Sequence, residues 1–324
     1  MGLKYVYALV SGEKDYYAEQ AMVSMHTLRQ HNPGCHIVLA TDDETLKVIE
    51  SHHSHILEYV IECISINAPE GFTPVQRSRY VKTLIRRYVK GDFLYLDCDT
   101  IIMDSLAALE NFEGDVAGTL FHHIRHWDKS VKPDRLTNFY KQTRIKEQLD
   151  FSFYCNGGVI LCKDNENGHR LFDAWHNYWV DSSTKYGYDF DQVNLWRANA
   201  SLGGIMVELD GAYNCQIIYV REVRKYIDEC KVLHYQTNSE RIRYLPFKNP
   251  SVLENIRRNG ITSEIEEMIR TLMHRYRQGL IVLDDEESRV YELPMSVLGR
   301  KLARDYAWTN KVAKFVYKLF GFNI

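Results

Sequence analysis

Residues 5–41, YVYALVSGEKDYYAEQAMVSMHTLRQHNPGCHIVLAT, decide the fold. The apolar run Tyr5 to Val10 reads as a strand and SGEKDY as a polar turn, after which Ala18, Ala21, Met22, Met25 and Leu28 recur at helical spacing. Asn32-Pro33-Gly34 stops that helix, and HIVLAT at 36–41 opens a second strand at once. A third β-rich run spans Tyr59 to Ile66. Strand, helix and strand in this order imply an α/β fold whose mostly parallel central sheet is flanked by helices, with a nucleotide site outside the carboxyl ends of the strands.

The rest of the chain narrows the function by exclusion. Its 324 residues are 45% hydrophobic and 26% charged, a globular composition. A formal net charge of −3, from 40 Lys+Arg against 43 Asp+Glu, supplies no field to hold a polyanion, so nucleic acid is not an expected partner. The seven cysteines form no CxxC pair and their odd number argues against a disulfide framework, which fits a cytoplasmic setting. MGLKYVYALV lacks a signal-peptide core, and no run approaches the roughly 18 apolar residues of a membrane span. Neither GxGxxG after the first strand nor GxxxxGK[ST] occurs, so bound phosphates would need a metal.

A helix from about Val75 to Val89 is expected to turn Tyr80 or Val81, Leu84, Ile85 and Tyr88 inward. Arg79, Lys82, Arg86 and Arg87 surround the rest, Arg86 and Arg87 reading as a solvated face. The histidines at 52, 53 and 55 have no carboxylate motif beside them and also read as solvated.

FLYLDCDT at 93–100 carries the chemistry. Residues two apart on a strand point the same way about 7 Å apart, so Asp97 and Asp99 can converge on one cation. A hard divalent ion, Mn²⁺ or Mg²⁺, takes such oxygen ligands and also binds diphosphate. The same string fits the first motif of haloacid-dehalogenase phosphatases, with Asp97 as nucleophile and Asp284 and Asp285 as a later acidic motif. Against that reading, a complete βαβ unit precedes the string, whereas that nucleophile usually lies near the domain start.

Taken together, YALVSGEKDYYAEQAMVSMHTLRQHNPGCHIVLAT, RYVKTLIRRYVKGDFLYLDCDTIIMDSL, FYCNGGVILC, YDFDQVNLW and VLHY resemble, in order, glycosyltransferase family 8, the group of glycogenin and the lipooligosaccharide galactosyltransferases. The resemblance covers roughly the first 245 residues. It implies a GT-A catalytic domain over 1–250, followed by a helical extension over 251–324. It also implies a retaining, Mn²⁺-dependent transfer of a hexose from a UDP-sugar to a saccharide or glycolipid acceptor.

By position, the resemblance puts Leu9, Val10, Ser11 and Tyr17 around uracil and ribose and Arg79 and Lys82 on donor oxygens. Cys98 falls in the same cofactor-binding set, and Asn156 and Gly157 sit beneath the donor sugar. Asp191 and Gln192 match the pair at the reacting carbon, and His234 the third metal ligand beside Asp97 and Asp99. Asp189 is a weaker candidate that could cap the helix beginning DFDQ.

The chain departs from the family after His234. Where Gly and Lys are usual it has Thr237 and Glu240, so a diphosphate-contacting lysine is missing and Arg241 or Arg243 would have to supply the charge; the alternative this opens is a catalytically inactive UDP-sugar-binding relative, which the intact Asp97, Asp99, Asp191 and Gln192 oppose. Near the C-terminus, Val312, Phe315, Val316, Leu319 and Phe320 form an apolar stripe, with Lys311, Lys314 and Lys318 on another face. Such a helix suits an anionic membrane surface, which would place the protein peripherally on the inner face of a membrane and favour a lipid-linked acceptor.

Overall fold

The computed structural model describes residues 2–145, 150–217, 223–235 and 245–278. Thr237, Glu240, Arg241, Arg243, Asp284 and Asp285, and the C-terminal stripe, lie outside these residues. Among the described residues no helix is long and apolar enough to cross a membrane.

The chain opens with β1 (Lys4–Ala8), α1 (Tyr17–His31), β2 (His36–Thr41), α2 (Asp43–His52), β3 (Glu62–Ser65) and α3 (Pro74–Tyr88), of which all but α2 are read from the sequence. Then come β4 (Phe93–Leu96), β5 (Thr100–Ile102), β6 (Val116–Leu120), α4 (Trp127–Ser130), α5 (Pro133–Thr143) and β7 (Cys155–Cys162). Helices α6 (Glu166–Tyr186) and α7 (Gln192–Ser201) and strands β8 (Met206–Glu208), β9 (Cys215–Gln216) and β10 (Val232–His234) follow, and α8 (Pro250–Asn259) and α9 (Ser263–Arg277) close the described chain.

Seven strands form one sheet in the order β3-β2-β1-β4-β7-β6-β8. Every neighbouring pair is parallel except the two made by β7. Because strand side chains alternate, Tyr5, Tyr7, Ile37 and Leu39 enter one apolar cluster with α1, α8 and α9, while Val6, Ala8, Val38 and Ala40 enter a second with α3, α6 and α7. A third cluster, around Trp127, Phe151, Tyr154 and Trp196, holds α4 and α5 against the sheet's edge.

A smaller sheet, β5-β10-β9, stands beside the first. β10 runs antiparallel to β5 and places His234 opposite Thr100. That register brings a residue from late in the chain to the end of β4.

Four expectations need correction. β4 does not run straight through the acidic motif: it ends at Leu96, and residues 97–99 form a turn before β5. Arg86 is 1% exposed, because the carbonyls of Val89 and Gly91 just past the end of α3 need donors and its guanidinium supplies them. Tyr88 is 47% exposed rather than inward, and Arg87 remains at the surface, paired with Asp173. His53 is fully buried, its Nδ1 2.6 Å from Glu19 and its Nε2 3.1 Å from the carbonyl of Gly12. A buried ring with both nitrogens on acceptors is a structural tie, and Arg257 of α8 completes it at 3.0 Å from Glu19.

Candidate active site

The acidic turn is fixed from below. The Tyr7 hydroxyl lies 2.9 Å from Ser24 Oγ, which lies 2.7 Å from Thr100 Oγ1, which in turn donates to the Asp97 carbonyl at 2.8 Å. Each hydroxyl has one proton, so the last donation sets the direction of the whole series, from Tyr7 through Ser24 and Thr100 to the backbone of the turn. The Asp97 amide donates to the Gly158 carbonyl at 2.8 Å, and the Tyr235 amide to the Asp99 carbonyl at 3.1 Å. The turn is thus tied to both sheets.

On this frame Asp97, Asp99 and His234 each offer an atom within 4.8 Å of the others. His234 Nε2 lies 3.3 Å from Asp99 Oδ1 and 3.8 Å from Asp97 Oδ2. Its other nitrogen, Nδ1, is 2.9 Å from the side-chain oxygen of Asn214, and that contact decides the tautomer. Asn214 donates its own amide to Asn156 Oδ1 at 2.9 Å, so its oxygen must accept from His234. In the neutral imidazole the proton then sits on Nδ1 and the lone pair of Nε2 faces the carboxylates. Two carboxylates and a correctly oriented imidazole fit a divalent cation such as Mn²⁺.

The space between these side chains comes from a glycine. A Cβ on Gly158 would stand 2.4 Å from His234 Cε1, 2.7 Å from Asp97 Oδ2 and 2.9 Å from Asn156 Oδ1. At Gly157 the nearest atoms would be Lys82 Nζ at 3.6 Å and Asp191 Oδ2 at 3.7 Å, an ordinary contact. Gly158, next to the Gly157 named by the resemblance, is the close approach. Asn214 was missed, because no local pattern marks a lone Asn before a two-residue strand.

Asp191 stands at the start of α7, buried, with Lys82 Nζ 3.0 Å from Oδ2 and Arg79 Nε 3.1 Å from Oδ1. Burial alone would raise its pKa, but the Lys82 charge and then that of Arg79 outweigh it and hold the carboxyl at about 2. Lys82 also reaches Asp97 at 3.2 Å, and despite its burial these two carboxylates push its pKa up. Arg79 Nε and Asp191 Oδ2 make no well-aligned hydrogen bond despite these short contacts. Buried polar atoms left this way have directions open to a ligand.

Gln192 Oε1 accepts from Asn156 Nδ2 at 3.3 Å, linking the Asp191 side of the site to the metal side. Asp189 does not cap α7: its carboxylate is bonded to Ser183 Oγ at 2.6 Å and Gln76 Nε2 at 3.2 Å.

The three clustered side chains, Gly158 and the Asp191 group face one cavity of about 1160 Å³. Its lining includes Leu9, Val10, Tyr17, Arg79, Lys82, Asp97, Cys98, Asp99, Asn156, Gly157, Asp191, Gln192 and His234. Ser11 lies outside it, its hydroxyl turned to Asp15 and its amide to Thr45 Oγ1 at 3.4 Å. The thiol of Cys98 points back at the Ala8 carbonyl, 3.6 Å away, and burial pushes its pKa up.

No family model and no curated protein matches this sequence. Solved structures match it by shape. The apo bifunctional glycosyltransferase WbbM superposes with a TM-score of 0.54 at 14% identity, covering 83% of this chain and 51% of that one, so the chain spans about half of WbbM's length. The galactosyltransferase LgtC, in complex with donor and acceptor sugar analogs, gives 0.49 at 12% identity over 82% of this chain and 100% of that one. Mouse xyloside xylosyltransferase 1, in its apo form, gives 0.47 at 13% over 73% and 98%. The likeness to WbbM and the strand order agree: the chain has the mixed α/β, mostly parallel GT-A glycosyltransferase fold.

Proposed function

We propose that this chain is a metal-dependent glycosyltransferase that moves a hexose from a UDP-sugar to a saccharide or glycolipid acceptor with retention of configuration. The observation that carries the reading is the convergence of Asp97, Asp99 and His234 around the space left by Gly158, on the same cavity wall as a buried Asp191. Residues 1–250 would form the catalytic unit and 251–324 the helical extension.

In this reading Leu9, Val10 and Tyr17 receive the base and ribose, Ser11 shapes the turn behind them, and Cys98 floors the ribose side. Arg79 and Lys82 direct their charges at donor oxygens, and Asn156 and Gly157 lie beneath the sugar. Asp97, Asp99 and His234 hold Mn²⁺ or Mg²⁺; when bound, the ion supplies positive charge to the departing diphosphate. Asp191, ionised and held by two cations, opposes the positive charge that develops at the anomeric carbon, and Gln192 is fixed beside it by Asn156. The inner-face membrane location and the lipid-linked acceptor rest on the sequence of the C-terminal stripe alone.

The test is a panel of UDP-sugars incubated with the full chain and Mn²⁺, with release of UDP and transfer to simple saccharides followed in parallel. Chelation should stop both reactions. A chain that binds no UDP and releases none from any donor, with or without Mn²⁺, would end the proposal. A phosphoenzyme trapped at Asp97 from a phosphate monoester would establish the phosphatase reading in its place.

A further inference from the structure

The cavity extends beyond the donor groups. Its other wall is α5, where Arg135, Asn138, Phe139 and Gln142 all line the cavity. These positions are i, i+3, i+4 and i+7, a single stripe along the helix. Arg135, Asn138 and Gln142 are exposed, and among the described residues their side chains make no hydrogen bond or ion pair. Beside them the cavity is walled by Phe121, Trp127 and Tyr188, and by Phe190, which is 68% exposed next to Asp191.

Two features set this wall apart from an ordinary solvated helix face. Its polar groups alternate with aromatic rings on a concave surface, the arrangement that binds a sugar by stacking its C–H face and bonding its hydroxyls. The charge is also unevenly placed. The cavity's other two basic side chains, Arg79 and Lys82, are neutralised by Asp191 and Asp97, whereas Arg135 has no acidic partner among the described residues. A histidine close enough to feel its charge is no counter-ion: His122 is held neutral, its pKa depressed to about 2 by burial and then by the Arg135 charge. A guanidinium in this position offers a planar fork to a carboxylate or phosphate.

The geometry points to α5 as the wall of an acceptor subsite for an anionic saccharide, with Arg135 receiving the carboxylate or phosphate, Asn138 and Gln142 the hydroxyls, and Phe139 or Phe190 the face of the ring. This rests on the glycosyltransferase reading for the word acceptor, but the recognition itself does not depend on turnover. Arg135 is here a specificity determinant.

The experiment measures binding by saturation-transfer NMR on the full chain with Mn²⁺ and UDP. Three probes share one sugar frame: methyl glucoside, methyl glucuronide and glucose 6-phosphate. At least one anionic probe should bind about tenfold or more tightly than the neutral one, as a charge-assisted contact allows. That preference should vanish in Arg135→Gln and return in part in Arg135→Lys, and whichever anion wins identifies the acidic group. Absence of any preference, or a preference that survives Arg135→Gln, overturns the assignment. UDP binding is recorded on the same samples. An Arg135-dependent preference without UDP binding would leave the subsite standing and remove the donor reading, whereas UDP binding without the preference would do the reverse.

Discussion

His234 Nδ1 and Asn214 Oδ1 are 2.9 Å apart, both buried, and this contact between residues twenty positions apart turns His234 Nε2 toward Asp97 and Asp99. Asn214 cannot turn its amide around, since its nitrogen is committed to Asn156, which also receives the Gly158 amide at 2.8 Å. Replacing Asn214 by Leu keeps the volume but removes the acceptor. Outer partners of this kind are worth roughly 10–100-fold in metal affinity. Asn214→Leu should therefore weaken Mn²⁺ binding in the presence of UDP by about that factor, measured by isothermal titration. Unchanged affinity would mean that the carboxylates alone orient the ring.

Adjacent glycines should behave differently. Gly158→Ala drives a methyl group to 2.4 Å from His234 and 2.7 Å from Asp97, a distance no real contact tolerates. The ligands must move apart, with a loss of metal binding and an overpacking cost of about 1–3 kcal/mol in denaturant unfolding. Gly157→Ala meets nothing closer than 3.6 Å and should retain the metal. Equal metal affinity in the two variants would refute the close-approach argument.

The fold was legible because its determinants are local. The β1-α1-β2 unit is written in apolar periodicity, a turn and an Asn-Pro-Gly stop, and each reappears within a residue or two of the expected place. The cluster of Asp97, Asp99 and His234 was legible in part. Asp97 and Asp99 stand in one motif, but His234 reaches them only through the β5/β10 register, which no local pattern states. It was found through the resemblance. Gly158 and Asn214 were not read because their roles exist only once β7, β9 and β10 are assembled around the turn. His53 and Arg86 were misplaced for the same reason: composition assigns charged groups to solvent, and only a specific buried partner, Glu19 or the end of α3, reverses that.

Asp97→Asn and Asp99→Asn each keep the shape of the turn while removing one anionic ligand. Turnover of any donor the protein accepts should fall to background in both, with thermal unfolding close to that of the parent chain. Tyr95 and Lys82 lean on Asp97 at 2.5 and 3.2 Å, so Asp97→Asn should perturb stability more than Asp99→Asn. Activity surviving at ordinary Mn²⁺ concentration in either variant would remove the metal assignment.

The ion pair between Lys82 and Asp191 predicts a specific pH dependence of stability. An unfolded aspartate titrates near 3.9, roughly, whereas Asp191 in the folded chain is held at about 2. The depressed value means that the contribution of Asp191 is fully present above about pH 4 and is lost as the pH falls toward 2, roughly 2 kcal/mol in all. Lys82→Met leaves both Asp191 and Asp97 without that ammonium. Breaking a buried pair by removing one partner costs roughly 3–5 kcal/mol, so at pH 7 the variant should be less stable by about this much. Below about pH 4 Asp191, left with Arg79 alone, can take up a proton, which relieves part of the penalty, and the gap between the two proteins should narrow. Urea unfolding of both between pH 3 and pH 7 measures it. A gap that stays constant across that window would assign the cost to the lost contacts of the ammonium with the Tyr95 and Trp175 rings, 4.9 and 5.9 Å from their centroids, instead of to its pairing with the carboxylates.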